Sequence, residues 1–318
     1  MRILITGASG FVGGSFMRRF ADSPGVTLLG VARRPTELQN YRWADLSRPF
    51  ELEFEPDVVI HAAALASPWG RPSDYIRHNV EATRNVIAYC EAHGRPRLIY
   101  LSSSSVFYRN EHQLNLTERS PIGPVFVNDY AATKYAGEKL VHQYSGERVI
   151  LRPRAVFGPE DTVLFPRILT AARRNRLPLL VTRGSPARGD LVYIDALCDY
   201  MMQAATRQKL EEAYNLTNAE PVVIQEFLIE MLSKLQLPIP RRRVRVETAM
   251  RAAAVTEWVY RLLRLSGEPP VTRFGVTVFA YSKTFDVGLA VRDLGPPSVS
   301  LQEGVARFVE WQLAQWRH

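Results

Sequence analysis

The hydrophobic and polar positions of the first half of the chain alternate between short apolar runs and longer stretches of helical periodicity. The apolar runs predict strands at residues 3–6, 26–32, 57–61, 97–102 and 148–152, and the periodic stretches predict helices at 11–21, 73–93 and 129–144. Continuous apolar strands separated by helices are typical of a parallel sheet that is covered on both faces. We therefore predict an α/β fold with a doubly wound parallel sheet.

The second half of the chain is less regular. Its periodicity predicts helices at 164–176, 196–207, 222–235, 248–265 and 301–316, with short strands at 179–182, 191–193 and 213–216. We predict that residues 1–163 form the sheet domain, that 189–217 return to it, and that 164–188 and 218–318 form a smaller mixed lobe.

A glycine-rich turn follows the first predicted strand. Residues 6–13 read T-G-A-S-G-F-V-G, and the first helix opens within them. Such glycines let the backbone approach a pyrophosphate, whose charge is attracted to the helix N-terminus. An ordinary strand–turn–helix is the alternative, but the position at the first strand–helix junction predicts a dinucleotide-binding domain of Rossmann type. The predicted cofactor contacts in the turn are Thr6, Gly7, Ser9, Gly10, Phe11, Val12 and Gly13.

The end of the second strand predicts which dinucleotide binds. Arg33 and Arg34 stand there without a carboxylate. An acidic residue at this point binds the free 2′-hydroxyl of NAD, whereas arginine suits the 2′-phosphate of NADP. We predict NADP (NADPH) as the cofactor, with NAD less favoured. Asp45 and Leu46 follow a short third strand and are predicted to contact the adenine, although Asp45 also fits an ordinary loop.

Composition narrows the possible classes of protein. With 318 residues, 46% of them hydrophobic and 23% charged, the chain is typical of a globular protein. The net charge of +8 suits phosphate-bearing ligands, but we do not predict nucleic-acid binding from it. Two cysteines without metal-ligand spacing predict no metal site and suit a reducing compartment. Neither a signal peptide nor a long apolar run is evident, so we expect a cytoplasmic protein without stable membrane insertion.

Candidate catalytic groups follow the later strands. Hydroxyls at residues 102–105 stand at the carboxyl end of a strand, where open α/β sheets bind ligands. Tyr130 and Lys134 lie one helical turn apart on a single face. Asn79 is near the start of the long helix, and the small side chains of residues 62–64 leave room for a ligand.

These segments together resemble the extended short-chain dehydrogenase/reductase superfamily, which includes the NAD-dependent epimerase/dehydratase family. The patterns T-G-x-x-G-x-x-G, D-V-V-I-H-x-A-A, N-V-x-x-T, S-S-x-x-V and Y-x-x-x-K occur in family order, followed by L-R-P-R-A-V-F-G-P and D-L-V-Y-I-D. The resemblance implies that Ser103 polarises a carbonyl, that Tyr130 exchanges a proton, and that Lys134 and the nicotinamide lower the pKa of Tyr130. Asn79 would steady a relay water, with a helix cap as the alternative. Further implied cofactor contacts are Ala62, Ala63, Ala64, Asn79, Tyr130, Lys134, Pro153, Ala155 and Val156.

The Y-x-x-x-K pattern occurs a second time, at Tyr135 and Lys139. Five residues turn a helix by about 140°, so only one pair can face a cofactor. The surrounding sequence matches the family in register with Tyr130, and we assign Tyr135 to packing.

Three departures from the sugar-nucleotide enzymes bear on the substrate. Ala155 replaces an asparagine that reaches substrate phosphates, Phe107 and Tyr108 make a more apolar wall, and Ser104 and Ser105 replace the acidic pair of dehydratases. Residues 280–287 resemble the tail of the 3β-hydroxysteroid dehydrogenase-like and 2-alkyl-3-oxoalkanoate reductase-like branch, and the apolar helix before them predicts a lid. The predicted substrate contacts are Ser67, Ser104, Phe107, Arg154, Arg188 and Trp258.

Three functions therefore stand as hypotheses. The leading one is an NADPH-dependent oxidoreductase acting on the ketone, or the matching alcohol, of a hydrophobic substrate. A nucleotide-sugar epimerase or dehydratase is the alternative, because Arg154 or Arg188 suits a diphosphate as well as a carboxylate. A non-catalytic cofactor-binding protein is the third. The resemblance also implies a homodimer.

The apolar helix at 248–265 has basic neighbours at Arg251, Arg261 and Arg264. These arginines suit contact with a membrane surface; the alternative is that the helix simply covers a core.

Overall fold

A computed structural model describes residues 1–182 and 184–317 of the chain. In chain order its strands are β1 (Arg2–Thr6), β2 (Thr27–Ala32), β3 (Tyr41–Trp43), β4 (Val58–His61), β5 (Arg97–Leu101), β6 (Gln113–Leu116), β7 (Arg148–Pro153), β8 (Val156–Phe157), β9 (Leu179–Val181), β10 (Arg188–Gly189), β11 (Val192–Tyr193), β12 (Ala213–Leu216), β13 (Val222–Val223), β14 (Arg243–Arg245) and β15 (Lys283–Phe285). Its α-helices are α1 (Phe11–Arg19), α2 (Pro72–Tyr75), α3 (Ala82–Ala92), α4 (Asp129–Val141), α5 (Phe165–Arg173), α6 (Ile194–Thr206), α7 (Ile224–Lys234), α8 (Val246–Leu262), α9 (Arg273–Ala280), α10 (Gly288–Leu294) and α11 (Leu301–Gln315).

The central sheet contains seven strands in the order β12-β7-β5-β4-β1-β2-β3. Each neighbouring pair is parallel, with Ile3 beside Leu28 on one side and beside Val58 on the other. Apolar side chains cover both faces. Phe16 of α1 and Met201 of α6 belong to the core on one face, whereas the other core contains residues of α3 and α4. The predicted doubly wound parallel sheet is confirmed.

The second half of the chain builds smaller sheets. One has the order β13-β10-β15-β6, and two further pairs join β11 to β8 and β14 to β9. A separate core packs α8 against α9 with Leu180, Val246, Ala249, Val276 and Ala280. β12 returns to the edge of the central sheet beside β7. The mixed lobe expected from the sequence is therefore present.

The structure differs from the predicted elements in several places. The single helix expected at 73–93 is α2, a π-helical segment at Ile76–Glu81, and α3. β13 takes the first two residues of the helix expected at 222–235, and the elements without a counterpart in the prediction are β6, β8, β10, β14, β15, α9 and α10. β6 and β15 are short strands that pair with each other across most of the second half of the chain, so no local pattern marks them.

A buried ion pair joins α4 to the sheet. The carboxylate of Glu138 accepts from Arg152 Nε at 2.9 Å and from Nη2 at 2.8 Å, and it also accepts from the hydroxyl of Ser102. Glu138 is fully buried and Arg152 nearly so. Removing one member of a buried pair leaves the other charge uncompensated.

We therefore expect Glu138→Gln to lower the free energy of unfolding by about 3–5 kcal/mol, measured by urea denaturation. The control is Glu230→Gln, which removes the exposed pair with Lys234 on α7 and should cost less than about 1 kcal/mol. Equal reductions in the two variants would show that the buried pair contributes no more to the free energy of unfolding than the exposed pair does.

Candidate active site

A cavity of about 610 Å³ opens at the carboxyl ends of the central strands. This is the edge at which parallel α/β sheets bind ligands. The predicted cofactor residues that line it are Gly7, Ser9, Gly10, Phe11, Val12, Gly13, Arg33, Arg34, Asp45, Leu46, Ala62, Ala63, Ala64, Tyr130, Lys134, Pro153, Ala155 and Val156.

The glycine turn forms one wall of the cavity. Gly7 has a φ of +77° and donates its amide to Val31 O at 2.8 Å, which turns the chain sharply after β1. A Cβ on Gly13 would lie 2.3 Å from Gly7 O, so glycine lets α1 approach the turn. α1 begins without a side-chain cap or an acidic residue in its first turn. The turn and the open N-terminus of α1 therefore fit a pyrophosphate.

Thr6 lies beneath the turn and does not line the cavity. Its hydroxyl is 2.8 Å from His61 Nδ1 and accepts from the amide of Ala63 at 3.1 Å. Thr6 is fully buried, because its side chain fastens β1 to β4 instead of facing a ligand. Its expected direct contact with the cofactor is corrected to a supporting position.

Two arginines stand at the rim beyond β2. Arg33 Nη1 lies 3.3 Å from His78 Nε2, and Arg34 Nη2 donates to Ser9 O at 3.4 Å. Both side chains are exposed and pair with no carboxylate among the residues that the structure describes. Burial raises the pKa of Asp45, but hydrogen bonds from Ser47 and the positive charge of Arg33 outweigh it and hold that pKa below its usual value. This rim provides cations suited to a phosphate.

Ser103, Tyr130 and Lys134 meet in the cavity. Ser103 is close enough to the Tyr130 phenol to affect its pKa, and the Ser103 hydroxyl lies 2.9 Å from that of Ser105. Lys134 Nζ lies 4.2 Å from the centre of the Tyr100 ring. The helical spacing of Tyr130 and Lys134 thus brings both to the side of α4 that faces the strand ends.

Burial shifts the pKa values of Tyr130 and Lys134. Desolvation raises the pKa of Tyr130 to about 12, although the Ser103 hydroxyl opposes the rise. Burial lowers the pKa of Lys134 to about 7, opposed by the charge of Glu138. In the protein alone, burial outweighs the effect of Ser103 on the Tyr130 pKa. The lowering of that pKa by Lys134 and the bound nicotinamide stays a prediction. Tyr130 is a protonated phenol at neutral pH.

Asn79 occupies the π-helical segment and is almost fully buried. Its Oδ1 accepts from the amide of Leu65 at 2.7 Å, and its Nδ2 donates to Thr133 Oγ1 at 3.1 Å. The side chain therefore links the loop after β4 to α4. It lies behind the cavity wall, and it does not cap a helix N-terminus.

Tyr135 lies outside the cavity lining. Its ring centre is 5.6 Å from that of Phe126, and Lys139 Nζ lies 5.4 Å from the Tyr135 ring. The two Y-x-x-x-K pairs therefore occupy different surroundings, and only Tyr130 and Lys134 face the cavity.

The predicted substrate residues divide into two groups. Ser67, Ser104 and Arg154 line the cavity, whereas Phe107, Arg188 and Trp258 do not. Phe107 is buried behind the wall, because the 3₁₀ turn at Ser104–Phe107 directs it toward Phe285. Arg188 is exposed on β10, and Trp258 is 62% exposed on α8. The expectation that Trp258 contributes to a lid over the substrate is wrong for the described structure.

Other residues complete the cavity and were not predicted from the sequence. They are mainly Arg167, Phe274 and Val278, whereas Tyr108 belongs to the apolar wall expected from the sequence and does line the cavity. Tyr108 follows Phe107 directly, and its hydroxyl lies 3.1 Å from Ser104 Oγ. The sequence shows two adjacent aromatic residues at 107 and 108. It does not show which of the two rings faces the cavity, because the 3₁₀ turn at Ser104–Phe107 decides that.

Arg154 is a cation within the wall. It is 4% exposed, its guanidinium carbon lies 5.2 Å from the centre of the Tyr108 ring, and its buried Nε has no hydrogen-bond partner. No ion pair involves Arg154 within residues 1–182 and 184–317. Burial raises the pKa of nearby Asp190 to about 6, against a hydrogen bond from Phe285 and the charge of Arg154. The guanidinium is thus available to an anion in the cavity.

The described part of the chain has neither a metal site nor a membrane-spanning helix. No group of histidine, cysteine or acidic side chains in residues 1–182 and 184–317 is arranged to hold a metal ion. No helix in the same ranges is both long and apolar enough to cross a bilayer.

Comparison with known proteins identifies the family. The model of the NAD dependent epimerase/dehydratase family matches residues 3–217. A 2-alkyl-3-oxoalkanoate reductase of Stenotrophomonas maltophilia (strain K279a) is 34% identical over 97% of this chain and 98% of its own length. A 3beta-hydroxysteroid-dehydrogenase/decarboxylase (isoform 1) of Arabidopsis thaliana is 32% identical over 89% of this chain and 69% of its own.

Solved structures agree on the fold. The UDP-glucuronic acid 4-epimerase from Bacillus cereus, in complex with NAD, superposes with a TM-score of 0.73 over the whole of both chains at 22% identity. This similarity shows a shared architecture. Together with the family match, it confirms the resemblance drawn from the sequence motifs. The chain belongs to the NAD dependent epimerase/dehydratase family and is an NAD(P)-dependent enzyme of the extended short-chain dehydrogenase/reductase type.

Proposed function

We propose that this enzyme uses NADPH to reduce the ketone of a hydrophobic 3-oxo acid. The observation that carries the proposal is the protonated Tyr130 phenol beside Ser103, in a cavity that also contains the unpaired Arg154. The name of the reductase relative from Stenotrophomonas maltophilia supports the same class of substrate.

The reaction requires a hydride and a proton. The glycine turn with Gly7, Gly10 and Gly13 would hold NADPH, which would supply the hydride to the carbonyl carbon. The hydroxyls of Ser103 and Tyr130 hold the carbonyl oxygen, and Tyr130 releases its proton to that oxygen as negative charge develops there. Lys134 stabilises the phenolate that Tyr130 leaves, so the two are positioned as acid and supporting cation.

The walls of the cavity suit an acyl chain with one acidic end. Tyr108, Phe274 and Val278 offer apolar surface, and burying such surface contributes about 25 cal/mol per Å² removed from water. Arg154 offers one desolvated guanidinium, which pairs with a carboxylate through two parallel hydrogen bonds. An alkylated 3-oxo acid has both features.

A nucleotide-sugar epimerase or dehydratase is the second candidate, and Arg167 favours it as a further cation at the cavity. However, Arg167 already pairs with Glu268 at 2.6 Å. Incubation with UDP-, GDP- and dTDP-sugars separates the candidates, because an epimerised or dehydrated sugar without net NADPH consumption would reject the reductase. The homodimer and the cytoplasmic location stay predictions.

We expect Tyr130→Phe to abolish NADPH oxidation with a hydrophobic 3-oxo acid, because the proton donor is removed while the ring still fills its place. The measurement is NADPH absorbance at saturating substrate, with cofactor affinity followed by fluorescence. Affinity should stay within about twofold, since no charge is removed.

Tyr135→Phe is the matched control, because it makes the same change one residue beyond Lys134 on the same helix. Its kcat should stay close to that of the unmodified enzyme. If Tyr135→Phe loses turnover and Tyr130→Phe retains it, the proton donor is Tyr135 and not Tyr130.

We expect the double variant Arg33→Ala/Arg34→Ala to bind NADPH more weakly, by about 1.5–3 kcal/mol for each charge-assisted hydrogen bond that the substitutions remove. NADH affinity should change little, because NADH lacks the 2′-phosphate. Fluorescence titration with both cofactors measures the two constants. Equal weakening for NADPH and NADH, or tighter binding of NADH by the unmodified enzyme, would reject the proposed cofactor preference.

We expect Arg154→Gln to raise KM for a 3-oxo acid by roughly 10–100-fold, the effect of removing one hydrogen-bonded pair of charged groups. KM for the methyl ester of the same acid should hardly change, because the ester has no charge to pair. The measurement is the initial rate of NADPH oxidation with each substrate.

Arg188→Gln is the control, since Arg188 is an exposed arginine outside the cavity lining. It should leave both KM values unchanged. If Arg154→Gln raises KM for the acid and the ester alike, Arg154 shapes the cavity wall and does not recognise the carboxylate of the substrate.

A further inference from the structure

We propose that α8 docks this enzyme onto the surface of an anionic lipid bilayer. The buried positions of the helix are Val246, Ala249, Ala253 and Glu257, whereas several of its large apolar residues face outward. The outward side carries a row of apolar residues, which we call the α8 ridge: Val255, Trp258 and Leu262 within the helix, and Leu263 and Leu265 just after it.

Helical spacing makes the α8 ridge continuous. Val255, Trp258 and Leu262 are three and four residues apart, so they lie in line on one face. They are exposed by 62%, 62% and 60%, and Leu263 and Leu265 by 61% and 45%. A contiguous group of large apolar side chains on a protein surface marks an interaction site.

The charge around the ridge selects the partner. Residues 241–266 contain seven arginines and two glutamates. Arg241, Arg242, Arg243 and Arg245 are exposed in the segment that leads into α8, and Arg251, Arg261 and Arg264 flank the ridge. Of the two acids, Glu257 is buried and pairs with Arg273 at 2.8 Å. An apolar ridge with tryptophan and leucine, bordered by arginines, matches the interfacial helices that bind anionic membranes.

A second copy of the chain fits this surface less well. Two ridges packed face to face would bring both arginine clusters together, and like charges across an interface oppose association. Anionic headgroups neutralise the same arginines while the acyl region receives Trp258 and Leu262. The bilayer therefore satisfies both parts of the surface.

The position of the ridge also agrees with a hydrophobic substrate, a step that rests on the proposed function. Arg261 lies 5.2 Å from the centre of the Trp69 ring, and both residues line a second cavity of about 320 Å³. Pro68 and Phe274 line this cavity and the large one alike. When α8 is docked on the bilayer, this second cavity, which borders the active-site cavity, lies beside the lipid.

The test is flotation of the full-length protein with lipid vesicles. We expect binding to phosphatidylcholine vesicles that contain about 30% phosphatidylglycerol, little binding to pure phosphatidylcholine, and weaker binding as salt rises from about 0.1 M to about 1 M. W258S/L262S should bind the anionic vesicles at least about tenfold more weakly. L114S is the control, because Leu114 is 59% exposed on β6, outside the ridge.

A second variant tests the charges separately. Arg241, Arg242 and Arg243 changed together to glutamine should reduce binding at low salt and weaken its salt dependence, while thermal melting verifies that each variant is folded. No binding of the unmodified protein to anionic vesicles would overturn the proposal, as would equal binding by W258S/L262S. A lipid-free dimer that W258S/L262S dissociates, seen by sedimentation velocity, would assign the ridge to a second copy. Vesicle binding requires no turnover, so its outcome is independent of the proposed reaction, which the NADPH oxidation assays test.

Discussion

The site depends on how closely α4 packs against the central sheet. Tyr130, Lys134 and Glu138 follow one another at intervals of four residues, so they share one face of the helix. At one end of this row the buried pair of Glu138 with Arg152 fixes the helix to β7. At Gly137 a Cβ would lie 2.1 Å from the hydroxyl oxygen of Tyr100, so only glycine permits this approach. The same approach brings the Tyr100 ring beneath Lys134.

The π-helical segment before α3 provides the second support of the site. It carries Asn79, whose side-chain hydrogen bonds reach Leu65 in the loop after β4 and Thr133 on α4. The loop lines the cavity and α4 carries the phenol, so one buried amide sets the distance between the cofactor side and the catalytic side. π-Helical turns are rare and occur often at functional sites. A period of 3.6 residues, assumed throughout 73–93, predicts one α-helix and so misses this turn.

The sequence was most informative where function and local structure depend on the same residues. The glycine turn, the parallel strands and the α4 spacing are local patterns, and the structure has the predicted fold. Side-chain direction was harder to predict. Phe107 and Tyr108 are adjacent aromatic residues, and the 3₁₀ turn that buries the first and exposes the second to the cavity depends on Phe285 from the far end of the chain. The apolar helix at 248–265 predicts a lid that includes Trp258, whereas the buried positions of α8 are Val246, Ala249, Ala253 and Glu257 and Trp258 is exposed.

The charges at the far end of the cavity bear on the substrate as much as its apolar walls do. Lys283 is fully buried, and burial lowers its pKa to about 7, with the positive charge of Arg154 as the second cause. Two cations so placed repel each other, and an anion bound at Arg154 would offset that repulsion. In the proposed reaction the carboxylate of a 3-oxo acid then does two things: it pairs the guanidinium, and it favours the protonated form of Lys283. Asp190 lies near Arg154 as well, and its carboxylate offsets part of this positive charge. Within the proposed function, the carboxylate of a 3-oxo acid offsets the remainder, which a neutral ketone of the same shape cannot do.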